Sequence, residues 1–256
     1  MRSLLAFLKK ESLAQRRSAK FYILGGLFVL FGLMNPAIAK LTPLLLESMA
    51  DSLAQSGMNI TVTEVSVLDS WVQFFKNIPM ALMVFVILQS NIFTGEYRSG
   101  TLVLSLTKGL DRYKVLIAKS ATLVVLWTAG FWLCFGISYG CNEFFWGNKD
   151  AQHLLFSAAC WWVFGLWVLA LMVLFSSIFC SNIGVLGCIA GTVLVSYLPS
   201  LLPKLAKYAP TYLLDGNSLV YGLAEPKDYG WALGITAALT VVCFCISIPI
   251  FNKKQL

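Results

Sequence analysis

Few residues in this chain have the types and spacing that chemistry requires. There are seven cysteines and a single histidine, His153. Cys134, Cys141, Cys160, Cys180, Cys188, Cys243 and Cys245 fall mostly within apolar runs, where a thiol acts as a small packing group. Cys243 and Cys245 are two positions apart and point to different faces of a helix. With one histidine available, no zinc or haem ligand set can be assembled. Ser138 and His153 lie close in sequence, but no carboxylate completes a triad, and neither paired catalytic carboxylates nor H-E-x-x-H is present. A G-x-x-x-x-G-K-[ST] phosphate loop is also missing, so any ATP that drives this protein is hydrolysed on another chain.

One polar stretch does stand out, Gly95 to Lys119, reading GEYRSGTLVLSLTKGLDRYKVLIAK. It is longer than the handful of residues that joins two helices, and its far end is basic. Leu102, Leu106 and Leu110 fall at i, i+4 and i+8, a helical stripe suited to docking against something outside the membrane.

The elements that position this stretch are apolar. Mean hydropathy is +0.77. Charged residues make up 12% of the chain, against about 25% in soluble domains. Apolar runs recur at 21–39, 78–94, 115–140, 154–179, 183–202 and 231–251, each close to the ~20 residues that cross a bilayer core. The expected fold is all-α: a polytopic membrane protein of six transmembrane helices forming a single domain over residues 1–256. No Asp, Glu, Lys, Arg or His falls in the middle of any span, which argues against a secondary transporter driven by protons or ions.

Loop charge sets the orientation. With the N-terminus inside, 13 of the 19 basic residues, Lys119 among them, lie on the cytoplasmic side with three acidic residues, Glu11, Glu96 and Asp111. Both termini are then cytoplasmic. The net charge of +7 reflects this topology and not binding to nucleic acid. Ala37-Ile38-Ala39 after a basic, apolar start imitates a cleaved signal peptide, but the apolar run is long and five more spans follow, so it is read as a retained first span.

Residues 1–19 read as an interfacial elbow helix. Its apolar stripe is Met1, Leu4, Leu5 and Leu8, and basic residues hold it to anionic lipid. The first span is expected to end near Asn35-Pro36. The segment beyond it either extends the helix past the bilayer or lies along the surface, and Val67–Phe75 leads into the second span. Residues 199–229 carry four prolines and two apolar pieces, 200–208 and 211–223, each too short to span. They read as re-entrant half-helices in the outer leaflet. Most tryptophans suit an aromatic belt. Trp132 and Trp167 lie deeper and are the candidates for contact with cargo.

This pattern resembles the permeases of type-2 ABC exporters, over nearly the whole chain. The matching features are the basic elbow, six spans, the G-E-Y-R-S-G-T-L segment, the broken stretch before the last span and the F-S-S-I-F-C-S-N close of the fourth. The family motif of an acidic residue, a Gly-Thr pair, an apolar run and a basic turn is met by Glu96, Gly100-Thr101, Leu102–Leu106 and Arg112–Lys119. The resemblance implies a coupling helix in the 95–114 segment, seated in a groove of an ATP-binding-cassette ATPase. The residues concerned are Glu96, Tyr97, Arg98, Gly100, Thr101, Leu102, Leu106 and Arg112. Gly95 and Gly100 would let the chain turn sharply, and Glu96, Arg98, Asp111 and Arg112 would make salt bridges at the rim.

The resemblance further implies two permease copies, most simply a homodimer, with two ATPase copies that carry ATP and magnesium. This chain itself holds no cofactor. An external gate would include Pro199, Pro203 and Tyr212, and the location implied is the bacterial plasma membrane. The uncharged pathway suits amphipathic peptides, as in the similar small permeases of bacteriocin self-immunity and phenol-soluble-modulin export. Export of lipids or drugs stays open. So does a different class: a membrane anchor or sensor subunit of an ATPase, or the binding component of a vitamin importer.

Overall fold

The computed structural model describes residues 2–55, 65–100, 107 and 111–254. The helices in these residues are α1 (Arg2–Arg17), α2 (Ala19–Gln55), α3 (Val67–Gln89), α4 (Asn91–Ser99), α5 (Arg112–Phe145), α6 (Leu154–Ile178), α7 (Asn182–Ser196), α8 (Pro203–Ala206), α9 (Gly216–Val220) and α10 (Gly230–Lys253). Six segments are long and apolar enough to cross a membrane: Ala19–Leu44, Val67–Tyr97, Arg112–Phe145, Leu154–Ile178, Asn182–Leu201 and Pro226–Lys253. The chain is an all-α polytopic membrane protein, with no strand among the described residues.

The first span does not end at Asn35-Pro36. Helix α2 continues to Gln55 with Pro36 and Pro43 inside it, a length of roughly 55 Å that outruns the bilayer core. Proline lacks an N–H, so Pro36 leaves the carbonyl of Gly32, four residues earlier, without its helical donor. The hydroxyl of Ser138 on α5 donates to that carbonyl at 2.9 Å. The gap left by Pro36 is thus closed by a neighbouring helix, and the same bond occupies the serine that the sequence set beside His153. His153 itself opens α6 in a left-handed turn, φ 47°.

Between helices in lipid, close packing takes over the role that water plays for soluble cores, and small residues let partners approach. Three glycines act in this way. A Cβ at Gly32 would lie 2.9 Å from the Ile137 side chain, one at Gly130 2.3 Å from the Phe28 ring, and one at Gly165 2.3 Å from the Trp127 indole. Trp127 is fully buried and donates its indole N–H to the Trp162 carbonyl at 3.2 Å. Around it Phe28, Phe85 and Phe131 meet edge-on or tilted. Farther along α5, Trp71, Phe74 and Phe135 continue the cluster. Helices α2, α3, α5 and α6 therefore form one aromatic core. Helix α10 packs mainly on α6, and α7 touches little besides α6.

Two polar devices fix the far end of the bundle. The backbone N–H of Ser66 donates to Asp69 at 2.8 Å, capping the start of α3. Trp71 donates to Asn148 at 3.1 Å, and Ser70 to Asn142 at 2.7 Å, tying α3 to the end of α5.

Where two half-helices were expected at 199–229, the chain makes five short turns instead. They are the 3₁₀ turns Leu198–Leu201, Pro210–Leu214 and Pro226–Tyr229, with α8 and α9 between them. A proline starts or immediately follows the start of each 3₁₀ turn, and prolines spaced so closely prevent a longer helix. Carbonyls released in this way are taken up by α6, whose Trp161 donates to Leu214 and whose Ser157 donates to Gly216, both at 3.1 Å.

Candidate functional site

The polar segment that stands out in the sequence begins within α4. Ser90 keeps helical angles (φ −55°, ψ −29°), and its hydroxyl bonds the Ile87 carbonyl at 2.8 Å, so α4 follows α3 after one interrupted turn. Gly95 lies inside α4 and makes no turn. This corrects its expected role: of the two glycines it is Gly100 that closes α4, with φ 67°, a conformation glycine adopts without strain. Thr101, Leu102, Leu106 and Leu110 lie outside the described residues, as do the stripe and the coupling helix expected of them.

Although short, α4 is held by four other helices. The Tyr97 hydroxyl donates to the Ser176 carbonyl on α6 at 3.1 Å. Thr94 bonds the Ser90 carbonyl at 3.2 Å and also the Asn182 side chain at the start of α7. Phe93 meets Phe251 of α10 edge-on at 6.2 Å. Glu96 pairs with Lys119 of α5 at 3.0 Å.

Lys119 is the surprise of this region. Counted from sequence as one more loop cation, it is 2% exposed and shared between two carboxylates. Its second partner is Glu11 of α1, at 3.1 Å and 6% exposed. One ammonium thus joins the elbow helix, α5 and α4. An ion buried in this way is tolerable only when its partners are well placed, because removal from water costs several kcal/mol per ion. Its spacing in sequence, 23 residues from Glu96 and 108 from Glu11, gave no local signal. The available hint was that Glu11 is the only acidic residue in α1.

A second cation organises the same end. Lys254, just past α10, donates to the Ser176 and Phe179 carbonyls at 3.2 Å and sits 4.1 Å over the Tyr97 ring. It caps the C-terminus of α6, where a positive charge offsets the helix dipole. Burial lowers the Lys254 amine from the usual lysine range. Arg112 donates to the Asn252 carbonyl at 3.1 Å and to that of Lys254, and Asp111 pairs with Lys114. Of the expected rim residues, Glu96, Asp111 and Arg112 are therefore engaged within the chain. Contacts with a partner would have to form in exchange.

The other notable feature is an apolar groove of about 550 Å³ between α3, α6 and α7. Pro79, Met83, Val86, Phe164, Ala190 and Val193 are among its lining residues, none of which is charged. Trp132, Trp167, Pro199 and Tyr212 are not among them. Trp132 is half-buried against Phe131 and Phe135. Trp167 is buried beside Phe164, whose ring does line the groove. Pro199 is half-buried in the first 3₁₀ turn, and Pro203 starts α8. Tyr212 stacks on Tyr229 at 4.7 Å, and burial with Asp228 nearby raises its hydroxyl above the usual tyrosine range. Thr211 bonds Ser200 at 2.8 Å and the Ser196 carbonyl at 3.0 Å, which joins the turns that carry Pro199 and Tyr212. Sequence reasoning missed the groove because α7 and the part of α3 from Ile78 to Leu88 are apolar on nearly every side, so the facing stripe carries no contrast.

Among the described residues no three His, Cys, Asp or Glu side chains could hold a metal ion, and the cysteines described are all free thiols. Among the described residues the chain is thus a bundle of six apolar spans, with α4 bound at one end to α1 through Lys119 and to Lys254 beyond α10. Residues 5–256 match the model of the ABC-2 family transporter proteins. The chain belongs to that family, whose architecture implies a separate ATPase. Among curated proteins, none matches the chain.

Proposed function

We propose that the chain is the permease of an exporter that expels amphipathic peptides, working as two copies with two ATPase subunits that bind ATP and magnesium. The observation that carries the cargo class is the groove between α3, α6 and α7. It is about 550 Å³ in volume, within the range of small-molecule sites. A peptide presenting an apolar helical face matches such a lining, and a charged sugar or an ion does not.

The end holding both termini faces the cytoplasm, where positive charge accumulates. There the stretch 101–110 seats on the ATPase. Gly100 turns the chain into that stretch, and α4 carries its displacement to α5, α6, α7 and α10 as a rigid body. The Pro199–Tyr229 turns sit at the opposite, external end as a gate.

Purified permease–ATPase complex in lipid tests this. Amphipathic helical peptides should raise its hydrolysis rate, and Ala190→Trp, which fills the groove, should abolish the response. A peptide panel without effect, alongside stimulation by a lipid or drug, refutes the cargo class. A response unchanged by Ala190→Trp refutes the groove as its path.

A further inference from the structure

Helix α1 has two opposed faces. At ~100° per residue, Lys9, Lys10, Leu13, Arg16 and Arg17 cluster on one side, and all five are exposed. Phe7 and Glu11 occupy the other side and are buried. The exposed side has a shallow depression lined by Ala6, Lys9, Lys10, Leu13, Ala14 and Arg17. Three cations around an apolar centre match a lipid phosphate with the start of its acyl chains, since Lys and Arg stems lie along apolar surface while their heads reach the phosphate. Leu13, 44% exposed at the middle of the cluster, favours a bilayer over a hydrated acidic protein surface. No acidic side chain of α1 interrupts the basic face, because Glu11, the only one, points inward to Lys119.

We infer that the basic face of α1 reads anionic lipid in the inner leaflet and passes that reading through Glu11, Lys119 and Glu96 to α4. The link is physical and short. A helix of 16 residues moves as one piece, so seating its outer face fixes Glu11 on its inner face. Glu11 positions the Lys119 ammonium, which in turn holds Glu96 at 3.0 Å. A lipid surface with negative charge draws the four cations down and keeps this chain of contacts taut. A neutral surface leaves α1 looser and α4 less firmly placed. Glu11 and Lys119 are positioning residues in this scheme. It rests on α4 leading into the ATPase-facing stretch, and it adds a regulator to that junction.

The test uses the full permease–ATPase complex in nanodiscs of phosphatidylcholine alone or mixed with phosphatidylglycerol in equal parts. Hydrolysis should be about fivefold faster with phosphatidylglycerol, a modest coupling by allosteric standards, and the gain should shrink as salt rises. The combined variant Lys9→Gln, Lys10→Gln, Arg16→Gln, Arg17→Gln should lose the gain, and so should Glu11→Gln, which keeps the outer face intact. On the permease alone, amide exchange over 91–99 should be slower with phosphatidylglycerol in the wild type and equal in the two lipids for Glu11→Gln. This second readout separates the inference from the assignment of an ATPase partner. Equal exchange and equal rates in both lipids for the wild type overturn the inference. A lipid gain that survives Glu11→Gln overturns the relay. If the fourfold variant fails to bind the ATPase in either lipid, the basic face is a protein-docking surface and the lipid reading is wrong.

Discussion

Replacing Lys119 with methionine should destabilise the bundle, with a cost divided unequally between its two partners. Methionine keeps the unbranched stem and roughly the volume, so packing changes little. What disappears is the one charge between Glu11 at 3.1 Å and Glu96 at 3.0 Å. Removing one member of a buried pair costs about 3–5 kcal/mol, because the remaining charge is left without compensation. Glu96, 23% exposed, can reach water, whereas Glu11, 6% exposed, cannot. Most of the loss therefore belongs to Glu11. For a chain of this length the midpoint of thermal unfolding should fall by about 10 °C, measured in detergent by tryptophan fluorescence. Adding Glu11→Gln to Lys119→Met should restore most of the drop, and adding Glu96→Gln should restore less. A drop under about 2 °C, or rescue by Glu96→Gln equal to that by Glu11→Gln, refutes the reasoning.

The remaining predictions concern packing and the turn into the partner-facing stretch. Gly165→Ala places a Cβ 2.3 Å from the Trp127 indole and should cost about 1–3 kcal/mol by overpacking; Gly187→Ala, with nothing within 4 Å, should be neutral or slightly stabilising in the same unfolding assay. Gly100→Pro imposes φ near −65° where the chain has φ 67°, so peptide-stimulated hydrolysis should fall at least tenfold, the effect of about 1.4 kcal/mol, while the permease still folds by gel filtration.

Much of the architecture was legible because a bilayer demands long apolar runs and leaves few alternatives. All six runs read from sequence fall on spans, and the Val67–Phe75 lead-in is part of α3. Cys243 and Cys245 do face different ways, one buried and one exposed. Boundaries failed where a partner elsewhere in the chain overrides local preference. Pro36 reads as a stop, yet Ser138 supplies the bond that lets α2 continue. Gly95 reads as a turn, but Thr94 and Glu96 on either side are fastened to other helices and hold it in α4. Lys119 read as an ordinary inside charge because its partner Glu11 is 108 residues away. The groove was invisible for a different reason: a stripe such as Leu186, Ile189, Ala190 and Val193 has the same polarity as the lipid-facing residues around it.

The bond from Ser138 to Gly32 also bears on the order in which the protein is built. Its two ends are 106 residues apart, and a ribosome adds that length in on the order of ten seconds. Through that interval the Gly32 carbonyl lacks the donor that Ser138 later supplies. An unpaired carbonyl in hydrocarbon costs several kcal/mol, so α2 is at ease in lipid once α5 supplies the missing donor. The first span therefore relies on the third long helix for a bond that its own sequence cannot make.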